Sequence, residues 1–191
     1  MALSIGTRPD CLPDEVLNLL GELNKFKPVW VELGLQTIHE NTAKYINRGY
    51  TLDVFNTAVN NLNKINVDVI VHLIIGLPFE SKEDILESVK YVSSMNISGI
   101  KLQLLHVLKN TPLEKEYFLN KFEVLSMEEY VDIIAECLRY IPKSIVIHRL
   151  TGDGPKSILV APLWSGNKKA VLNYMNKRFN ELNVIQGSLC S

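Results

Sequence analysis

At 191 residues, with 47% hydrophobic and 21% charged residues, the chain has the make-up of one medium-sized globular domain with a sizeable core. The formal net charge of −1 gives no global attraction to nucleic acid. The longest apolar run, interrupted by Asp68 and His72, is too short to cross a bilayer, so no membrane partner is expected. No basic segment followed by an apolar stretch opens the sequence, which argues against a secretory leader and for a cytoplasmic protein.

Strand and helix patterns alternate along the chain. "ALSIGT" reads as a short strand, and "PDEVLNLLGELNKF" follows with helical spacing at Val16, Leu19, Leu20 and Leu23. "VWVELGL", Val29 to Leu35, is strand-like. Two helical pieces come next, "IHENTAKYINR" and "TLDVFNTAVNNLNKI". The second has Leu52, Phe55, Val59 and Leu62 on one stripe and Thr51 as its expected N-cap. "VDVIVHLII" is nearly apolar throughout, as suits a parallel strand covered on both faces. Ser81 with Asp84 then opens a helix carrying Ile85, Leu86, Val89 and Val92. "GIKLQLLHV" reads as one strand. Ser126-Met127-Glu128-Glu129 is a capping box that starts a helix through Ile133, Ile134, Cys137 and Leu138. "SIVIHRL" is a further strand, a Gly-Asp-Gly-Pro turn follows, then the short run "SILVAPL" and a helix from Lys168 to Asn183. The alternation predicts an α/β fold with mostly parallel strands and right-handed crossovers, either barrel-like or open.

Polar residues recur where strands end: Thr7-Arg8 with Asp10, Gln36-Thr37, Glu80, Gln103 with His106, and His148-Arg149 with Asp153. Parallel strands point one way, so these side chains are expected to gather at one rim, where α/β folds bind ligands. Each has a plainer alternative. His72 suits a satisfied core histidine equally well, Arg48 before Gly49 a partner for helix-terminal carbonyls, and Asp153 a turn former. Glu80 is read as helix-entry chemistry. Cys11, Cys137 and Cys190 are too widely spaced for a local metal motif and read as reduced thiols. From Lys143 to Ser191 there are seven Lys or Arg against two acidic residues, with Lys168, Lys169, Lys177 and Arg178 in one helical segment. No strained nucleophile elbow, HxxxH, CxxC or phosphate-binding Gly-rich loop is present. Residue patterns alone therefore give a ligand-binding rim and no reaction.

The pieces "SIGTRPDCLPDEVL", "VELGLQTIHENTAKYINRGYT", "HLIIGLPFE" and "KLQLLHVLKNTPL" together resemble the later half of a radical S-adenosylmethionine (radical SAM) enzyme, of the coproporphyrinogen oxidase-like and elongator-catalytic-subunit-like branches. The tail "VIHRLTGDGP…LVAPLWSGNKKAVL…QG" resembles the YhcC-like proteins. The resemblance implies a partial (β/α) barrel, here an incomplete one: later βα units over residues 1–125, with a helix-strand-helix extension over 126–191 packed on the same core. It further implies a 4Fe-4S cluster and S-adenosylmethionine at the strand ends, whose chemistry is a 5′-deoxyadenosyl radical that abstracts hydrogen from substrate. Carried over by position, Gln36 and Arg48 stand near the cofactor or a neighbouring ligand, and Thr7 and Arg8 face its ribose and methionine parts. The segment Ile74, Ile75, Gly76 to Pro78 lines the adenine, with Gly76 permitting close approach. His72 and Gln103 complete the set of expected cofactor-binding residues.

The sequence departs from the pattern in places. Some relatives carry an acidic residue where Gly6 stands and another where His72 stands. The CxxxCxxC motif and the Gly-rich segment after the second strand are absent, so no cluster is expected in this chain. It reads as opening partway through a barrel, behind an appended Met1-Ala2-Leu3. Two functions follow as expectations. One is the C-terminal part of a radical SAM enzyme, inactive alone, whose substrate is a small molecule or RNA. The other is a stand-alone binding module whose basic tail meets RNA or another anion. An open sheet edge at Leu3 to Thr7 is expected to be covered by homodimerisation or by the chain's own tail.

Overall fold

A computed structural model describes residues 2–152 and 154–190. The elements in order are β1 (Leu3–Thr7), α1 (Asp14–Phe26), β2 (Val29–Gln36), α2 (Glu40–Tyr45), α3 (Leu52–Lys64), β3 (Asp68–Ile75), α4 (Lys82–Ser93), β4 (Gly99–Leu104) and β5 (Val107–Leu108). Then come α5 (Pro112–Phe118), α6 (Met127–Tyr140), β6 (Val146–Arg149), β7 (Leu159–Ala161) and α7 (Lys168–Glu181), with 3-10 turns at Pro9–Cys11 and Leu163–Gly166. Five strands form one parallel sheet in the order β1-β2-β3-β4-β6. β5 and β7 pair antiparallel as a separate ribbon. The α/β fold with a mostly parallel sheet is thus as expected. "GIKLQLLHV", however, breaks into β4 and β5 at Leu105-His106, and "SILVAPL" joins the ribbon rather than the sheet.

Side chains alternate across a strand, and here the two faces have different fates. Val29, Val31, Leu33 and Leu35 of β2, Val69, Val71, Leu73 and Ile75 of β3, and Ile100 and Leu102 of β4 are buried in the core. Phe55, Val59 and Leu62 of α3, Val89 and Val92 of α4, and Val131, Ile134 and Cys137 of α6 join them there. The opposite, inner face carries Trp30, Glu32, Gly34 and Gln36 of β2, His72 and Ile74 of β3, and Lys101 and Gln103 of β4, all only partly buried. β3 is therefore not a strand covered equally on both faces: His72 and Ile74 stay half-open. The apolar stripe of α1 is also displaced from the expected one. Leu17 and Leu20 are buried, whereas Leu19 and Leu23 face solvent with Phe26.

Helix starts follow local chemistry. Ser81–Asp84 and Ser126–Glu129 both form reciprocal capping boxes, as their spacing predicts. Thr51 occupies the N-cap position of α3, but its hydroxyl makes no cap bond. The Leu52 amide instead donates to Glu40 Oε1 at 2.7 Å. Among the described residues, no helix is long and apolar enough to cross a membrane.

Candidate functional site

The strand ends of the parallel sheet place Thr7, Gln36, Gly76 and Arg149 along one rim, and β2 is the irregular member. Its register with β3 shifts between Gly34 and Gln36. Gln36 has φ 71°, a left-handed conformation uncommon for a residue with a side chain. Such a bulge re-aims a side chain, and bulges are frequent beside binding sites. The Gln36 amide makes no hydrogen bond to the described residues.

Arg48 and Tyr50 hold this bulge. Arg48 donates from Nη1 to the carbonyls of Leu35, at 3.4 Å, and Thr37, at 2.7 Å, the residues on either side of Gln36. Its Nε donates to the Tyr50 carbonyl at 2.8 Å and its Nη2 to Glu40 at 2.8 Å. Tyr50 donates its hydroxyl to the Gly34 carbonyl, and its ring lies 5.0 Å from the Arg48 guanidinium and 5.4 Å from that of Arg8. With its side chain only 1% exposed, Arg48 is committed to partners within the fold. Arg8 is exposed and forks onto Asp10 at 2.9 and 2.7 Å. Thr37, fully buried, donates to Glu80 at 2.5 Å, and burial pushes the Glu80 carboxyl up. Glu80 thus ties the exit of β3 to that of β2, while Ser81 caps the helix.

The "IIGLP" segment divides by strand parity. Ile74 lies on the inner face, partly covered by the small apolar cluster of Leu77, Leu105, Val107, Phe122 and Ala161. Ile75 points the other way and is 1% exposed in the helix-side core, so the two isoleucines cannot line one surface. Gly76 has φ 84°, and a Cβ added there would come within 2.9 Å of Leu125 Cδ1. The positive φ favours glycine, whereas a side chain added there would have to displace Leu125, a residue of this protein. Pro78 is buried.

His72 and Gln103 belong to a second group, across the inner face. Ser4, His72 and Lys101 all donate to the Glu32 carboxylate, at 2.9, 2.9 and 2.5 Å. Gln103 Nε2 lies 3.1 Å from His72 Nδ1. Burial pushes the Glu32 carboxyl up, but hydrogen bonds from Lys101 and Ser4 outweigh it and bring it down to about 2. Burial, then the Lys101 charge, lowers the His72 imidazole below its usual range. His148 stands edge-on to Trp30 at 6.1 Å and is lowered by the same two causes in the same order. Trp30 Nε1 is buried with no hydrogen-bond partner among the described residues. Glu32, Lys101, Ser4 and Tyr50 were not among the expected site residues. A signal existed for two of them: Glu32 and Lys101 are opposite charges inside otherwise apolar strands.

The remaining expectations fall elsewhere. His106 meets Ser165 Oγ at 3.1 Å, with its ring packed close to Gly152 and Gly154. Asp153 lies outside the described residues. In the basic tail helix, Arg178 forks onto Asp132 at 2.7 and 2.9 Å, and Lys177 lies 3.8 Å from Glu181, so part of that charge is used internally.

Polar strand ends along one rim of a parallel sheet define an α/β protein of the barrel type. Family models make this specific: the Radical SAM superfamily matches residues 1–92 and the Radical_SAM C-terminal domain residues 97–181. The chain belongs to the radical SAM superfamily. It is 44% identical over 187 residues to the uncharacterized protein YtqA of Bacillus subtilis, covering 98% of this chain and 58% of that protein. It is 34% identical over 189 residues to YhcC of Escherichia coli K12, covering 98% and 61%. The solved archaeal Elp3 of Methanocaldococcus infernus superposes with a TM-score of 0.79 at 25% identity, over 97% of this chain and 43% of that one. The chain therefore spans about three-fifths of these curated relatives.

The superfamily implies S-adenosylmethionine and a 4Fe-4S cluster, and the residues present fit the two differently. Cys11 and Cys190 are exposed and Cys137 is buried in the core between α6 and the sheet, its thiol pushed up to about 12 by burial. The grouping of potential metal ligands found among the described residues is His39, Asp84 and Glu87, which contains no cysteine. Residues 2–152 and 154–190 thus lack a thiolate set for a cluster. The organic cofactor fits better. Gln36 offers an amide without a partner among the described residues, and a Cβ added at Gly6 would meet nothing within 4 Å, so the inner face at β1 is open.

Proposed function

We propose that this chain forms the S-adenosylmethionine-binding and substrate-facing part of a radical SAM enzyme and does not cleave the cofactor by itself. The observation that carries this is the clamped bulge of β2, which lays the Gln36 amide, without a partner among the described residues, over Gly34 on the inner face near the strand end. A free amide offers two donors and an acceptor, which suits the amino, carboxylate and ribose groups of that cofactor. Thr7 and Arg8 at the end of β1 and Ile74 with Gly76 at the end of β3 are the further residues that the family resemblance assigns to it. When bound in this superfamily, the cofactor supplies a 5′-deoxyadenosyl radical. The contribution of these residues is to bind, orient and shield it. Cluster ligation lies outside their chemistry, so the chain alone is expected to be inactive.

Titration calorimetry with S-adenosylhomocysteine, which needs no cluster, tests the reading. Binding to the 191-residue chain, weakened about tenfold or more in Gln36→Ala, is the expected result, a loss of about 1.4 kcal/mol. Unchanged affinity in Gln36→Ala, or no binding by the parent chain, overturns it. Anaerobic reconstitution with iron and sulfide is expected to leave no stoichiometric 4Fe-4S absorbance. A full cluster would sink the claim that this chain is inactive alone.

A further inference from the structure

The row across the inner face has a direction. Glu32 accepts from three donors, and an ionised carboxylate can only accept. The proton shared with His72 therefore sits on Nε2. The groups facing His72 are Glu32 from β2, Lys101 from β4 and Arg149 from β6, and both cations disfavour a second proton on the ring. Nδ1 thus carries a lone pair. Whatever Gln103 presents to it at 3.1 Å must donate, so the amide nitrogen faces the histidine and Oε1 faces away. Oε1 accepts nothing from the described residues.

Hydrogen bonds in such a chain polarise one another. The carboxylate draws on the imidazole N–H, which makes Nδ1 a stronger acceptor. That draws on the Gln103 N–H and leaves Oε1 richer in charge than an isolated amide oxygen. Gln103 pairs in register with Ile74, one residue from the end of β3, so this oxygen sits just below the rim. The Lys101 charge is matched by Glu32, so the row holds no spare anion with which an ammonium ligand could pair.

We propose that Gln103 Oε1 is the substrate-reading atom of this site, accepting an N–H or O–H from a neutral polar substrate such as a ring amide or imide, with His72 and Glu32 as positioning residues behind it. This rests on the inner face being the substrate side of the cofactor site, and it moves His72 and Gln103 from cofactor to substrate. A site that offers a lone acceptor discriminates against an analogue without the donor, because the acceptor is then left unpaired.

The test uses the 15N-labelled 191-residue chain and two probes that share a ring. Uracil has imide and amide donors, and 1,3-dimethyluracil has none. Uracil is expected to shift the Gln103 side-chain amide and the His72 Nε2–H resonances, and 1,3-dimethyluracil to move neither. Gln103→Met should lose the uracil response and keep S-adenosylhomocysteine affinity within about twofold. Gln103→Glu cannot donate to Nδ1, so His72 should gain a proton there and titrate at higher pH than in the parent, an effect that loss of packing would not produce. Equal shifts from both probes, a parent chain that uracil does not shift, a His72 Nδ1–H tautomer, or an undiminished response in Gln103→Met overturns the proposal. Failure of S-adenosylhomocysteine to bind a chain that still distinguishes the two probes would instead count against the cofactor reading alone.

Discussion

At the scale of single residues, the fold depends on charges committed to internal partners. Arg48 is the clearest case. Replacing it with alanine leaves the Leu35 and Thr37 carbonyls short of a donor and Glu40 without its cation. The expected cost is about 2–4 kcal/mol in urea unfolding, with cofactor-analogue affinity falling alongside because the Gln36 bulge loosens. An Arg48→Ala chain as stable as the parent would refute the clamp. Glu32 makes a pH prediction. Its folded carboxyl titrates near 2 against an ordinary 4.5, so it binds protons less readily folded than unfolded. Its stabilising contribution is complete above about pH 4.5 and is lost as pH falls towards 2. In Glu32→Gln, urea midpoints measured from neutral pH down to this window should lose part of that acid dependence. These residues were only partly legible beforehand. The amide of Gln36 and the positional pattern of strand-end polar groups can be read from the chain. That Arg48 would bridge two carbonyls around one bulge cannot, because it depends on where a backbone irregularity falls.

At the scale of elements, both capping boxes and the five-stranded framework follow from local spacing, since serine and carboxylate three apart satisfy first-turn amides wherever the helix packs. Errors arise where tertiary contacts choose between equivalent local patterns. α1 has two apolar stripes, and burial selects Leu17 and Leu20 over Leu19 and Leu23. Parity of β3 was available in the alternation Val69, Val71, Leu73, Ile75, and it separates Ile75 from Ile74. The edge of the sheet is β1, which pairs only with β2 among the described strands and contains no charge or proline to discourage further pairing. Leu3 donates to Pro28 on the β2 side, so by alternation the backbone groups of Ser4 and Gly6 point to the free edge. Self-association through this edge is the expected outcome in sedimentation velocity, reduced by Gly6→Pro. A parent chain that stays monomeric over a wide concentration range would rule it out.

At the scale of the whole molecule, the later third is part of the core rather than an attachment. β6 is hydrogen bonded to β4, and Tyr130, Val131, Ile134, Cys137 and Ile141 have no exposed surface. The two family models meet between residues 92 and 97, inside the connectivity of the one sheet. A chain stopped at residue 125 should therefore lack a cooperative thermal transition by circular dichroism, since the inward faces of β4 and α4 would lose their cover. A sharp melt from that truncation would show an independent unit. The edge-on pair of Trp30 and His148 has an optical consequence. Trp164 is the other indole, and it donates to the Leu125 carbonyl. Light emitted by Trp30 is thus subject to quenching by the neighbouring His148 ring whenever that ring is protonated. The protein carries its own lamp beside the row of polar groups, so a Trp164→Phe chain would signal occupancy or protonation there as a change in brightness, with no label attached.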